Sequence, residues 1–493
     1  MESTQVVIIG GGSTGAGILW DLSLRGISGV LLEQGDIANG ATGRCHGLLH
    51  SGGRYAVKDP EAARDCVAEN RIIKAVAPHC VEDTGGLFVQ CCKDDPAFFE
   101  RWWRGAQKME IPSRRISAEE ARALEPSLAT NILGAFTCQD AHVDVFRLVQ
   151  ANLEAAVERG ARFHTYSEAL SIRTAKGHVR GVRYRETRTG EEHDISCDVV
   201  INAAGAWAKS VALLAGVDLP ISCDKSALVV LNHRLSKRVI NRCRPPSDSD
   251  IIVPAGPVSL LGTSSMLVPS PEGLIATPEE IDQLLRQGDE MIPDFMDARI
   301  LRIFCGARPL YAAENAQAAG GREISRSFTL LDHEAREGIG GFVSIVGGKL
   351  TTYRLMAAAV CDSVAKKLGV SAECTTDKVP LRAAIDAKTH RRVLRVLPQP
   401  IAGTKDRAGQ SGCRPPHLQR SQQEFFLWRI RRLAASRSNN FAGNGAQYVD
   451  EDRGFLEVHR DRLYRAERPV YRRKLRHFDS QNGSGKTRHP GSA

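Results

Sequence analysis

The chain has 493 residues, 42% hydrophobic and 25% charged. That balance fits a soluble globular protein of more than one domain and excludes a mainly disordered or fibrous chain. The net charge of +9 sits in the tail: residues 401–493 hold 19 Lys and Arg against 9 Asp and Glu, leaving 47 against 48 in residues 1–400. The basicity belongs to the tail and so gives no argument for a nucleic-acid-binding core, and no nucleic-acid partner is expected. No run approaches the ~18 apolar residues of a spanning helix, and Val6-Val-Ile-Ile9 follows the N-terminus with no basic segment before it. No secretory signal is read there. The 13 cysteines are odd in number, scattered and without a CxxC pair. They read as buried reduced thiols rather than disulfides or a metal centre, and a cytoplasmic protein is expected.

Residues 5–9 are a short apolar β-branched run, suited to a buried parallel strand. Gly10-Gly-Gly-Ser-Thr-Gly-Ala-Gly17 follows, then a helical pattern through Leu22, with Gly26 at the C-terminal cap. Residues 29–33 read as a second strand. Residues 36–56 are glycine-punctuated, a length that inside a compact domain wraps something. Helices are expected over 60–77, over 117–125 from a Ser-Ala-Glu-Glu capping box, and over 144–159 closed by Gly160. Residues 178–198 alternate as a hairpin around Thr189-Gly190. Residues 198–205 and 341–348 read as buried strands ending in small residues. Residues 221–310 are mostly strand and loop, with one helix near 277–288. Thr351 is expected to cap a helix over 352–367. Beyond about 400 the periodicity fades.

The Gly10-x-Gly12-x-x-Gly15 spacing gives a tight turn, close backbone approach to a pyrophosphate and tight helix–strand contact. The amides and dipole of the helix start favour an anion. Glu33, 18 residues after Gly15, ends the second strand, where a carboxylate can accept from ribose hydroxyls. Strand, turn, helix and acid together read as dinucleotide binding. An NAD fold would continue in regular strand–helix repeats. Here the chain runs into the Gly/Arg/His segment at 39–56 and carries a distant glycine strand end at Gly347-Gly348, which suits an extended FAD lined by remote segments. A helix start at Thr351 would place positive dipole against a reduced flavin ring.

Six segments occur in order: Gly10–Gly17 with Glu33, Ala41–Tyr55, Asn202-Ala-Ala-Gly-Ala-Trp207, Ser259-Leu-Leu-Gly-Thr263, Gly306-Ala-Arg-Pro-Leu310 and Gly347-Gly-Lys-Leu-Thr-Thr-Tyr-Arg354. As a set they resemble the FAD-dependent glycerol-3-phosphate dehydrogenases, most of all the large, catalytic subunits of the anaerobic enzymes, over about residues 5–395. The resemblance implies an α/β fold: a glutathione-reductase-like FAD-binding Rossmann domain interleaved with a mixed-sheet substrate domain of the D-amino-acid-oxidase type. It implies flavin binding by residues 1–75, 145–220 and 325–375, a substrate domain from 76–144 and 221–324, and a linker over 376–400. FAD-contacting positions are then Gly10, Gly12, Gly15, Glu33, Thr42, Gly43, His50, Ala204, Gly205, Gly347, Gly348, Lys349, Leu350 and Thr351.

The implied reaction oxidises sn-glycerol 3-phosphate to dihydroxyacetone phosphate, with electrons passing to a quinone through partner subunits of a membrane-associated complex. Its dianionic head needs a cationic clamp, and Arg54, Arg308 and Lys349 match the family's phosphate-contacting positions. Tyr55 either bonds substrate or packs near the flavin. His50, which titrates near neutrality, is a candidate base; a flavin or packing role is the alternative. His233 reads as a loop residue, Arg354 as a helix-surface residue, and Lys225 has no settled role. An amino-acid or 2-hydroxy-acid oxidase on the same fold, or an inactive flavin-binding remnant, are the competing readings. The family's catalytic chains continue into a cysteine-rich module, whereas residues 401–493 hold only Cys413. That segment is expected to be a disordered, frame-shifted or replaced tail.

Overall fold

The computed structural model describes residues 2–293, 295–311 and 327–382. The expectations for the 401–493 tail and for most of the 376–400 linker lie outside the described residues.

A six-stranded sheet runs in the order Arg162–Thr165, Gly29–Glu33, Val6–Ile9, Val199–Asn202, Phe342–Gly347, Phe328–Asp332. Its first five strands are mutually parallel and the last is antiparallel. Both faces are covered, which is why the central strands Gly29–Glu33, Val6–Ile9 and Val199–Asn202 are nearly continuous apolar runs. Val6, Ile8, Leu31 and Ile201 point to a helical layer built from Ser13–Leu24, Val145–Glu158 and Tyr353–Leu368. Val7, Ile9, Val30, Leu32 and Val200 point the other way, onto Ile172, Val179, Val182 and Ile195. Those residues belong to a four-stranded sheet containing the hairpin of His178–Glu186 and Glu192–Ser196. Period-two alternation thus divides one buried sheet between two cores.

A second, nine-stranded mixed sheet draws its strands from residues 86–138 and 221–311. Its longest pairing is antiparallel, Ile221–Leu231 against Ile300–Tyr311, and sets Asp224 directly opposite Arg308. Helix Pro278–Asp289, started by a Thr277/Glu280 capping box, lays Ile281, Leu284 and Leu285 on this sheet. On the same sheet Phe88 and Phe136 stack with Trp102 of helix Pro96–Lys108.

Several sequence expectations meet differences. Thr351 does not cap the last long helix. Leu350–Thr352 form a 3₁₀ turn, the helix begins at Tyr353, and the Thr351 hydroxyl accepts from the His50 amide at 3.0 Å. Arg354 is no surface residue. It is buried, its guanidinium paired through Nε and Nη2 with the buried Glu69 and bonded to Thr376 Oγ1 at 3.1 Å. A long cationic side chain buried in the apolar first half of this helix is retained because a buried carboxylate meets it. Lys225 is likewise structural: its buried ammonium donates to Glu280 Oε2 at 2.9 Å and to the Ile275 carbonyl at 3.0 Å. The twelve cysteines among the described residues are all free thiols and most are buried.

Candidate active site

The nucleotide-binding turn follows from its glycines. Gly10 leaves the first strand at φ +119°, where a Cβ would lie 2.5 Å from the Ala203 carbonyl oxygen. A Cβ on Gly15 would lie 1.9 Å from the Gly10 carbonyl oxygen, so the helix can press on the strand end only through glycine. No side chain caps the helix at Gly12 and no acid occupies its first turn. One of its first amides, that of Ser13, donates to Thr42 Oγ1 at 3.1 Å, so the 3₁₀ turn Ala41–Arg44 is tied to the helix start. Glu33 accepts from the Gly11 amide at 2.7 Å and the Gly35 amide at 2.8 Å. Burial pushes its carboxyl upward while those two amides oppose the shift. An uncapped, acid-free helix start above a glycine cradle suits a pyrophosphate, and Glu33 stands one strand away where a ribose would lie. Ala204 and Gly205 close the neighbouring strand end, with Gly205 at φ +56°. The residues present therefore fit FAD.

The remaining expected residues converge. Lys349 follows Gly347 and Gly348, both left-handed at φ +79° and +76°. Its ammonium lies 4.9 Å from the Tyr55 ring centroid, a cation–π distance. Tyr55 meets the His50 ring edge-on at 5.4 Å, and His50 in turn meets the His46 ring at 6.3 Å. Arg54 and Lys349 thus lie on the same side of the molecule. Arg308 joins them from the long strand of the second sheet: its charge, with that of Arg54, bears on His46. His50 is buried, and burial first, then the charges of His46, Lys349 and Arg54, hold its imidazole well below the ordinary range. It is a neutral ring, able to accept a proton.

Sequence reasoning missed the groups that aim these side chains. Arg54 Nη2 pairs with Asp250, which is fully buried and also accepts from Arg244 Nε at 2.7 Å and the Ser247 amide at 2.6 Å. Arg308 donates to the fully buried Asp224 at 2.7 Å and to Thr263 Oγ1 at 2.6 Å. Each guanidinium therefore enters the site with a carboxylate behind it, so the clamp is preorganised rather than an unopposed cluster of cations. Asn70 Nδ2 donates to the carbonyls of Leu49 and His50, at 3.2 and 3.3 Å. Asp140 takes the Ser51 amide at 2.6 Å and Asn241 at 2.8 Å. Trp102 Nε1 holds the Gly53 carbonyl at 2.8 Å, directly before Arg54. A polar residue inside an apolar stretch is the one signal that marks such groups in a sequence, and it does not name their partners. Among the expected site residues, Thr42, Gly43, Leu350 and Thr351 line the two tied segments. His233 is exposed in a loop, as expected.

Residues 5–354 match the family model described as FAD dependent oxidoreductase. The chain is 45% identical to the A1-subunit of the anaerobic glycerol-3-phosphate dehydrogenase of Haloferax volcanii, over 78% of this chain and 67% of that one. It is 44% identical to the A-subunit of the anaerobic glycerol-3-phosphate dehydrogenase of Escherichia coli, over 82% and 74%. Among solved structures, the glycerol-3-phosphate dehydrogenase of Bacillus halodurans, complexed with FAD, superposes with a TM-score of 0.60 at 24% identity, covering 80% of this chain and 71% of that one. That likeness establishes the shared fold, a parallel nucleotide-binding sheet joined to a mixed one. With the family model covering most of its length and close relatives sharing over two-fifths of their residues, the chain belongs to the FAD dependent oxidoreductases and, within them, to the family of the anaerobic glycerol-3-phosphate dehydrogenase A-subunits.

Proposed function

We propose that this chain oxidises sn-glycerol 3-phosphate to dihydroxyacetone phosphate. The convergence of Arg54, Tyr55 and His50 with Lys349 and Arg308, from three distant segments, carries this reading. Arg54, Arg308 and Lys349 bind the phosphate. Their forks and ammonium suit its oxygens, and the buried aspartates behind the two arginines remove the cost of orienting them on binding. FAD, when bound, supplies the two-electron acceptor for the hydride that leaves C2. His50, neutral and buried, takes the proton of the C2 hydroxyl, so the carbinol becomes a ketone as C–H and O–H bonds break together. Tyr55 touches both His50 and Lys349 and helps to place them. Gly10, Gly12, Gly15, Glu33, Thr42, Gly43, Ala204, Gly205, Gly347, Gly348, Leu350 and Thr351 hold the cofactor.

The same reading assigns residues 1–75, 145–220 and 325–375 to flavin binding and 76–144 and 221–324 to the substrate side. The segments that build the two large sheets support this division. Two relatives are named as the A1- and A-subunits of their enzymes, which supports partner chains; delivery of electrons through them to a quinone is part of the same proposal. No helix among the described residues is long and apolar enough to cross a membrane, so attachment to the cytoplasmic face of a membrane would run through those partners.

Anaerobic addition of glycerol 3-phosphate to the purified flavoprotein tests the reading. The yellow flavin is expected to bleach, then regain colour with an artificial dye, and with a quinone only if partners are present. Flavin that stays oxidised under excess glycerol 3-phosphate would remove the proposed substrate.

A further inference from the structure

His46 lies in the glycine-punctuated segment but is not among the residues expected to act. Its Nδ1 accepts the Leu48 amide at 3.2 Å. That bond fixes the tautomer, because a ring nitrogen accepting an N–H carries no proton, and the neutral ring must then bear its hydrogen on Nε2. Leu48 belongs to a two-residue strand paired with Ala141–His142, so the ring is held by a sheet rather than by a free loop. Among the described residues no group is hydrogen-bonded to His46 Nε2, and the side chain is only half-buried. The ring packs close to Gly262, where an added Cβ would lie 3.8 Å from His46 Cδ2. Gly262 ends the strand leading to Thr263 and Ser264, both partners of Arg308. His46 also faces the His50 ring at 6.3 Å.

We propose that His46 is a substrate-binding residue, its Nε2–H donating to the phosphate of glycerol 3-phosphate beside Arg54 and Arg308. The inference rests on the substrate reading above and deepens it. Two histidines four residues apart then divide the work: His50 accepts the hydroxyl proton and His46 only donates. Burial, and after it the charges of Arg308, Arg54 and His142, bring the His46 imidazole down to about 3, so it stays neutral and serves as a donor without adding another cation to be compensated. A multi-oxygen anion is the ligand best suited to an N–H close to two guanidiniums, since its several oxygens can accept from all of them at once.

The test uses the full-length flavoprotein and three variants. His46→Ala is expected to raise KM for glycerol 3-phosphate roughly ten- to hundredfold, the size of one lost hydrogen bond to a charged group. The value of kcat should move less than about threefold, because the interaction is made equally before and during reaction. Inhibition by inorganic phosphate should weaken in parallel. His46→Gln, whose amide reaches the Nε2 position, should recover most of the loss, and His46→Asn, which is too short, should not. Unchanged KM in His46→Ala, or a fall in kcat alone, overturns the proposal. If His46→Ala loses its flavin, equal KM values in the Gln and Asn variants overturn it instead. Wild-type flavin bleached by glycerol 3-phosphate, beside His46 variants of unchanged KM, rejects this inference and leaves the substrate reading standing.

Discussion

The nucleotide-binding turn and the proposed phosphate clamp are built by opposite strategies. In the turn, the Gly11 amide reaches Glu33 across 22 residues and the Ser13 amide reaches Thr42 across 29. Its donors are backbone groups, and its tolerances are set by the absence of side chains. In the clamp, Arg54 reaches Asp250 across 196 residues and Arg308 reaches Asp224 across 84. Its donors are long charged side chains, and the two guanidiniums are each fixed by a buried carboxylate. The turn is therefore rigid because nothing else fits, whereas the clamp is rigid because a charge inside the protein must find its counter-charge. A third ion pair, Arg354 with Glu69, spans 285 residues and uses the same chemistry for stability rather than binding.

The sharpest way to break this contrast is Gly15→Val. A Cβ there would meet the Gly10 carbonyl at 1.9 Å, and neither backbone can yield. Purified protein should carry essentially no flavin; a full complement of flavin absorbance per chain would show that the turn is softer than described. Gly12→Val is milder within the chain, with only Thr42 Oγ1 at 3.1 Å, and its effect should appear as lost FAD rather than lost fold.

Arg354→Met comes next. Leaving Glu69 buried without its partner should cost about 3–5 kcal/mol of stability, read from urea unfolding. KM for glycerol 3-phosphate in the folded fraction should not change, and a raised KM would place Arg354 in the site after all. Arg308→Ala should act on binding as well: KM for the phosphorylated substrate rises roughly ten- to hundredfold while FAD content is unaltered, and stability falls because Asp224 is left buried without its cation. Kinetics equal to wild type would take Arg308 out of the clamp.

The smallest expected effect is in the pH profile. Burial and neighbouring positive charge hold His50 well below the ordinary histidine value of 6.5. A base with a lowered pKa stays in its proton-accepting form as pH falls through that value, and is lost only further into acid. The acid limb of kcat is therefore expected well below pH 6.5. A limb centred there would assign the proton to a group in an ordinary environment.

Legibility in the sequence follows the same divide. Gly10, Gly12, Gly15 and Glu33 are readable because their spacing is a local consequence of strand, turn and helix. The hairpin at Thr189-Gly190 and the Ser117/Glu120 capping box are readable for the same reason, and both are formed. Arg54, Arg308 and Lys349 are legible only through the family's motifs, which point to residues but not to what orients them. Thr351 reads as a cap because a threonine before a helix usually serves as one; here its hydroxyl is taken by His50 across 301 residues. Arg354 reads as a surface residue because helical period does not reveal which face of a helix meets a buried acid.

By itself the amino-acid sequence determined the opening strand–turn–helix–strand unit, several of the later helices, the glycine cradle and its acid, since hydrophobic period, caps and left-handed turns are decided within a few residues. Only the tertiary structure decided which carboxylate stands behind which arginine, that the His50 and His46 rings are neighbours, and that Tyr55 lies against Lys349. Those choices depend on burial and on charges meeting across the two sheets, and a buried charge can be satisfied by any counter-charge the fold brings near, wherever it stands in the chain.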